Sequence, residues 1–428
     1  MKLEEAVRYA ADLLLSLPKK SMVRVIGHVD ADGISSAAII AIALERAGYR
    51  YHISIKATKP DLIREIEEEE NELIIFADIG SGYLKDMKRL KSNVIVLDHH
   101  LSYDEPPKNV MYVNARLYGI DGSKEACGAT VSYFFAKAID ENNVDLSQLA
   151  IIGAIGDKQN IAGYNKKKVM EEGIANGFIE TRDEYIFQGM TLKDALENSL
   201  EPYFTGFTNA NGFIESIGLQ PQKRFEELDD EQRQRFLSAL TLKLLEQGCE
   251  EIEWRKRMIY GSYYGNLHDM ASKLNASARL NEQGIGIAAC FGDKMAKERI
   301  FILQEKYRDE IRKEMRAMEK KEPYEMKKFV YFYTDKRSLG GVLAGLSLKY
   351  LPNFQKGKPV LALSYNDDID ISARASEKMV ENGINLGEAM KKAALAVGGE
   401  GGGHPIAAGA TIPKNKEKEF LNLLDELL

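Results

Sequence analysis

Two hydrophobic rhythms alternate along the first half of the chain. Short runs of consecutive apolar, often β-branched residues recur in MVRVIGH, YHISIKA, ELIIFAD, NVIVLD and VMYVNA, and each predicts a strand. Between them, SSAAIIAIALERAGY, DLIREIEEEE, YLKDMKRLK and ATVSYFFAKAI carry the wider spacing of helices, and the apolar segment LAIIGAIGD follows. Strands that are apolar throughout and separated by helices predict an α/β fold with a parallel sheet covered on both faces. From Asp194 to Glu322 the pattern turns helical and highly charged, with no clear strand, and DKMAKERIFILQEKYRDEIRKEMRAMEKKE reads as one long helix. Strand-like sequence returns in FVYFYTD, PVLALSY and IDISARA. The chain therefore divides into an α/β domain at 1–193, a helical insert with a long connecting helix at 194–322, and a smaller C-terminal α/β domain at 323–428.

With 428 residues, 44% of them hydrophobic, the chain can bury more than one core. Its three cysteines, Cys127, Cys249 and Cys290, lack metal-site or redox spacing and read as reduced packing residues. The longest fully apolar run, Ala37 to Leu44, is too short to cross a bilayer, and the N-terminus is amphipathic with early acids, unlike a signal peptide. A soluble, cytoplasmic protein with no membrane partner is the expectation. The net charge of −7 argues against a generally basic nucleic-acid coat but leaves room for a local cationic groove.

Chemistry concentrates where apolar segments end. VRVIGHVDAD places His28, Asp30 and Asp32 just past a strand, LIIFAD places Asp78, VIVLDHH places Asp98, His99 and His100, and AIIGAIGD places Asp157. Four separate segments thus deliver acids or imidazoles at their C-terminal ends, and in an open parallel sheet those ends share the edge where ligand crevices form. Taken singly, an Asp after a strand is usually a helix N-cap, and Asp32-Gly33 could be turn chemistry. Four coincident ends argue for convergence. Carboxylates brought within about 4–6 Å of one another repel, and divalent cations relieve that repulsion. Oxygen and imidazole donors together suit Mn²⁺, Zn²⁺ or Fe²⁺. Two such ions about 3.5–4 Å apart, sharing a carboxylate, would activate water and clamp a phosphate.

In sequence order, HVDADG, FADIGSG, LDHH and IGAIGD resemble the four signature motifs of the DHH phosphoesterases, and GGEGGGHPIAAGATI resembles the glycine-rich motif of the DHH-associated domain. With the helical segment between them, nearly the whole chain is similar to archaeal RecJ-like single-strand exonucleases, relatives of a eukaryotic scaffold subunit of the replicative helicase. The resemblance implies two divalent metal ions, manganese preferred, with magnesium, cobalt or zinc as alternatives. His28, Asp30 and Asp78 would hold one, and Asp32, Asp78, His99 and Asp157 the other, with Asp78 shared. Asp98 would orient His99 or His100, and His100 would face the scissile phosphate. Bacterial RecJ proteins usually carry an acid where His28 stands, a departure that leaves ligation there open. In the associated domain, backbone N–H groups of Gly401, Gly402 and Gly403, with His404 and Arg374, would grip a phosphate. KLNASARLNEQG resembles a RecJ-type segment, which would bring Asn275 and Arg279 near the substrate.

The implied activity is metal-dependent exonucleolytic hydrolysis of single-stranded DNA or RNA to mononucleotides. Two alternatives stand beside it: a phosphodiesterase of the nanoRNase type acting on oligoribonucleotides or cyclic dinucleotides, and a replication scaffold binding GINS or other replication proteins. The large insert favours the exonuclease, and a full set of ligands at all four motifs speaks against a pure scaffold.

Overall fold

The structure, a computed structural model, describes every residue except Met1, Glu70, Tyr103 and Asn160. The chain forms two compact units, Met1–Asp183 with Arg257–Tyr307 and Glu184–Lys256 with Arg308–Leu428. Residues 194–322, expected as one insert, are shared between them.

The first unit is built on strands β1 (Met22–His28), β2 (Arg50–Lys56), β3 (Leu73–Ala77), β4 (Asn93–Asp98) and β5 (Val110–Asn114), parallel in the order β2-β1-β3-β4-β5. Alternate residues of the apolar runs feed two cores, which is why these strands read as continuous rather than alternating. In β3, Leu73, Ile75 and Ala77 pack with helices α1 (Leu3–Leu15) and α2 (Ala31–Arg46) on one face. Ile74 and Phe76 pack on the other face with Leu62, Ile63 and Ile66 of α3 (Leu62–Ile66). The expected helix DLIREIEEEE is thus helical only over its apolar part, and its last residue, Glu70, lies outside the described residues. YLKDMKRLK likewise gives only short 3₁₀ turns, Ser81–Tyr83 and Asp86–Arg89, although Tyr83, Leu84, Met87 and Leu90 are all buried.

Helices α4 (Gly128–Ile139) and α5 (Ser147–Gly156) complete the first core. LAIIGAIGD is therefore a helix, and Asp157 arrives from a helix C-terminus instead of a strand end. Eight of the ten residues of α5 are buried, so the segment shows no polar stripe from which helical periodicity could be read.

The expectation of no strands between Asp194 and Glu322 also needs correction. β6 (Ile179–Tyr185), β7 (Arg255–Gly261) and β8 (Gly265–Asn266) form a three-stranded sheet. In β7 only Ile259 and Gly261 are buried, and the exposed Arg255, Lys256 and Arg257 hid the strand behind charge. The long helix is observed at Lys294–Met318.

The C-terminal part of the second unit is a mixed sheet of β9 (Tyr324–Glu325), β10 (Val330–Tyr333), β11 (Val360–Tyr365), β12 (Ile369–Arg374), β13 (Glu400–Gly403) and β14 (Ala407–Ile412). Its order is β13-β14-β12-β11-β10-β9, with β10 and β11 parallel and the other pairs antiparallel. Among the described residues no helix is long and apolar enough to cross a membrane, and all three cysteines are buried and free.

Candidate metal centre

The strand order 2-1-3-4-5 reverses direction between β1 and β3, and a crevice opens at the C-terminal ends of strands at such a point. Register does the rest. Gly27 stands beside Ala77 and Ala77 beside Leu97, so the next residues of three neighbouring strands are His28, Asp78 and Asp98. Asp78 itself adopts a left-handed backbone, φ 61°, which Asp tolerates better than most side chains. Helix α4 seats directly against it: a Cβ at Gly128 would lie 2.4 Å from Asp78 Cβ.

His28, Asp30 and Asp78 present donor atoms within 4.8 Å of one another, and so do Asp32, His99 and Asp157. Asp78 faces both groups. Its Oδ2 lies 3.7 Å from His28 Nδ1 and its Oδ1 3.1 Å from His99 Nε2. That Oδ1 is buried yet has no hydrogen-bond partner among the described residues.

The N-cap reading of the first acids is realised alongside the cluster. Asp30 caps α2 through Oδ1, which accepts from Gly33 N–H at 2.9 Å, while Oδ2 lies 2.7 Å from His28 Nδ1. Asp32 accepts from the N–H groups of Gly128 and Ala129, at 2.8 and 2.9 Å, at the positive end of α4. Asn275 Oδ1 accepts from Ala31 N–H at 3.0 Å, holding the loop that carries both acids.

Of the two imidazoles Asp98 was expected to orient, it takes His100, with Oδ1 2.8 Å from Nδ1. The same carboxylate accepts the backbone N–H groups of Ser81 and His99. His99 Nδ1 instead donates to the carbonyl of Gly122, which leaves Nε2 turned to the acids.

The electrostatics follow from crowding. Burial, then the neighbouring Asp32 and Asp30, pushes Asp78 well above the usual carboxylate range. Burial and the same two acids push Asp157 to about 8. Burial and Asp30 also raise Asp32. For Asp98, His100 outweighs burial and holds the carboxyl low. Burial alone would depress His100, but Asp98 overrides it and lifts the imidazole to about 9. His28 is raised in the same way by Asp30 against its burial. Three carboxyls held up by burial and then by mutual repulsion, with an imidazole nitrogen facing the buried Asp78 Oδ1, are a donor set that fits divalent cations.

The remaining candidates are carried by other elements. Arg279 is exposed in the last turn of helix Leu267–Arg279. Arg374 ends β12, half-buried, with Nη1 donating to the Ala373 carbonyl at 2.8 Å. Gly401, Gly402 and Gly403 are not a free loop: they form β13, paired with Ala410, Gly409 and Ala408 of β14. The ladder engages the N–H of alternate residues, and a Cβ at Gly401 would meet Met390 O at 2.7 Å. Of the three, Gly402 alone has open space beside it. His404 begins the turn after β13 and is half-buried. Sequence reasoning passed over Gln159, Asn165 and the Gly122 carbonyl; Gln159 had one signal, a polar residue close behind IGAIGD, and the other two had none.

The DHH family, N-terminal domain model matches residues 22–156, and the DHHA1 domain model matches residues 327–428. An uncharacterized protein of Methanocaldococcus jannaschii is 30% identical over 434 residues, which cover 95% of this chain and 93% of that one. The single-stranded-DNA-specific exonuclease RecJ of Thermus thermophilus is 29% identical over 186 residues, 40% of this chain and 28% of the exonuclease. In fold, a structure of RecJ with Mn²⁺ from Thermus thermophilus superposes with a TM-score of 0.65 at 18% identity, covering 99% of this chain and 54% of that one. CDC45 from Entamoeba histolytica gives the same TM-score at 13% identity, over 99% and 97% of the two chains. The chain belongs to the DHH family and is a RecJ-like member carrying a DHHA1 domain. Family and donor cluster together support a metal-dependent phosphoesterase.

Proposed function

We propose that this protein is a single-strand-specific exonuclease that hydrolyses DNA or RNA to mononucleotides at a dinuclear, manganese-preferring site. One observation carries the reading: the two oxygens of Asp78 face two different imidazoles, His28 and His99, each within a separate donor group. His28, Asp30 and Asp78 would hold one ion, and Asp32, Asp78, His99 and Asp157 the other. When bound, such ions supply an activated water and neutralise charge on the phosphate.

The chain's own residues do the remaining work. His100, lifted to about 9, is an imidazolium at neutral pH. Its Nδ1 is committed to Asp98, so Nε2 is the atom left to donate to a phosphate oxygen. The ring is 41% exposed, enough for a substrate to reach it. Asp98 holds that ring in orientation and keeps it charged. Arg374, His404, the open position at Gly402 and the exposed Arg279 are proposed contacts to the nucleic-acid backbone. The single-strand specificity of the Thermus thermophilus exonuclease relative supports this substrate.

End-labelled single-stranded DNA and RNA, digested with Mn²⁺ and resolved on a gel, test the reading. Mononucleotide products, inhibition by EDTA and resistance of circular single strands are expected. Cutting confined to oligonucleotides of a few residues would favour the nanoRNase-type alternative. The fold-wide likeness to CDC45 supports a second reading, a replication scaffold with GINS-like partners. Absence of hydrolysis with metal bound would favour it.

A further inference from the structure

Behind the second donor group runs a chain of buried polar side chains that none of the proposed chemistry uses. Thr130 and Asn165 are fully buried and Gln159 is 6% exposed. Thr130 Oγ1 donates to Asn165 Oδ1 at 2.5 Å, and Asn165 Nδ2 donates to Gln159 Oε1 at 2.9 Å. Gln159 Nε2 then donates twice, to Asp157 Oδ2 at 2.9 Å and to the Gly122 carbonyl at 2.8 Å. That carbonyl also accepts from His99 Nδ1. Resting on the metal-centre reading above, we propose that Gln159 is a positioning residue. It joins the carboxylate of Asp157 and the imidazole of His99 into one frame, with Asn165 and Thr130 bracing it from behind.

The polarity is determined from end to end. The Gly122 carbonyl can only accept, as can the Asp157 carboxylate once ionised, so both need a donor from Gln159, and the Asn165 amide and Thr130 hydroxyl follow in order behind it. The Gln159 oxygen therefore faces Asn165, and its two N–H groups face Asp157 and Gly122. Turned the other way, the amide would set its oxygen against the Gly122 carbonyl and, once Asp157 is ionised to hold a cation, against a carboxylate, three acceptors with no proton among them. The Gly122 carbonyl in turn requires a proton on His99 Nδ1, which presents Nε2 as the lone pair on the acid side.

The backbone around this chain is shaped to deliver it. Asp157 caps the C-terminus of helix α5, and Lys158 takes a left-handed turn, φ 57°, where glycine is usual. Lys158 N–H bonds Ile155 O and Gln159 N–H bonds Ala154 O, which folds Gln159 back beneath the acid it follows. Asn165 opens a π-helical turn, Asn165–Met170, an irregularity common at functional sites. Its N–H bonds the carbonyl of Glu125, three residues from Gly122. Gly122 is pressed against its client: a Cβ there would lie 2.4 Å from His99 O. Apolar side chains of the same volume would fill this space without the desolvation cost of three buried polar groups. The chain makes physical sense as a scaffold for the two groups at its end.

Calorimetric titration of the metal-free full-length protein with Mn²⁺ tests the proposal, beside Gln159→Met and Asn165→Asp. Gln159→Met keeps volume and loses both donors. Asn165→Asp is isosteric and replaces the amide donor to Gln159 Oε1 by a carboxyl that holds that oxygen only while protonated, so the Gln159 orientation is lost as the carboxyl ionises. Wild type should bind two ions. Each variant should weaken one of them by about 10–100-fold, the usual effect of losing a ligand's hydrogen-bond partner, and leave the other within about twofold. Imidazole ¹⁵N shifts of His99 should show loss of the single Nδ1–H tautomer in both. A role in packing alone would lower Tm without this selectivity. If Gln159→Met does not fold, Asn165→Asp decides. Wild-type affinity at both sites in the folded variants, or equal weakening of both, overturns the proposal and leaves the metal centre standing. Failure of wild type to bind Mn²⁺ overturns the metal centre itself.

Discussion

The two units treat polar groups in opposite ways. At the sheet edge of the first, strand register and a helix end force Asp32, Asp78 and Asp157 together, and each carboxyl is held above its ordinary range. Among the described residues, none hydrogen-bonds Asp78 Oδ1. In the second unit, the glycine strand β13 spends backbone groups on its partner strand, and Arg374 bonds its own chain. One region is incomplete without cations. The other is structurally self-sufficient, and any hold on substrate there must come from side chains and the opening at Gly402. The contrast predicts that metal and substrate functions separate by unit.

The severest test is Asp78→Asn, which preserves volume and tolerance of the left-handed backbone while removing the charge both groups share. We expect Mn²⁺ binding to fail and turnover to fall on the order of 10³-fold or more, the several kcal/mol that metal assistance supplies. Metal analysis beside initial rates on a short single strand measures both. Substantial turnover in this variant would sink the dinuclear arrangement.

Arg374→Ala probes the other side of the comparison. Metal content should stay at the wild-type level, while kcat/KM drops by about 1.5–3 kcal/mol, the value of one charge-assisted hydrogen bond. His404→Ala should behave alike. Loss of metal in either variant would contradict the division of labour.

The same small substitution should then have different consequences in the two units. Gly128→Ala puts a Cβ 2.4 Å from Asp78 Cβ, so it should displace a ligand and weaken Mn²⁺ binding. Gly401→Ala meets Met390 O at 2.7 Å and should cost about 1–3 kcal/mol of stability through overpacking, with Mn²⁺ binding unchanged. Titration and thermal melts of both variants would show whether the effects cross over.

Much of the first unit could be read from the chain because its signals are local. Apolar runs such as LIIFA and VIVL bury alternate residues in two cores, and their terminal acids must then share an edge. What escaped was decided by packing. Nothing in LAIIGAIG separates a buried helix from a buried strand, so Asp157 was placed near the right spot by the wrong element. The choice of His100 over His99 by Asp98 depends on the loop that brings Gly122 to His99, a contact 23 residues away in sequence. In the second unit the glycine run resembled an anion loop, yet pairing with β14 turned it into a strand. The charged β7 had only two buried residues to betray it.

The smallest expected effect bears on whether the first unit is truly incomplete. Asp157 has an ordinary value of 3.8 and rises to about 8 on folding, and His100 rises from 6.5 to about 9. A group whose folded pKa is raised binds its proton more tightly in the native state, so its stabilisation is full below the unfolded value and is lost as pH climbs through the folded one. Both groups act in the same direction between roughly pH 4 and 9. Asp30 and Asp98, which are held low, lose their contribution only as pH falls below the ordinary 3.8, outside this window. The metal-free protein should therefore lose Tm steadily from pH 5 to pH 9. Divalent cations take the place of those protons and bind more tightly once the carboxyls are ionised, so the gain in Tm on adding Mn²⁺ should be larger at pH 8.5 than at pH 6. Differential scanning calorimetry with and without Mn²⁺ at both pH values reads this directly. Asp78→Asn should flatten the metal-dependent difference, and Arg374→Ala should leave it intact. A gain in Tm independent of pH would mean that the acids of the sheet edge are already satisfied by the chain.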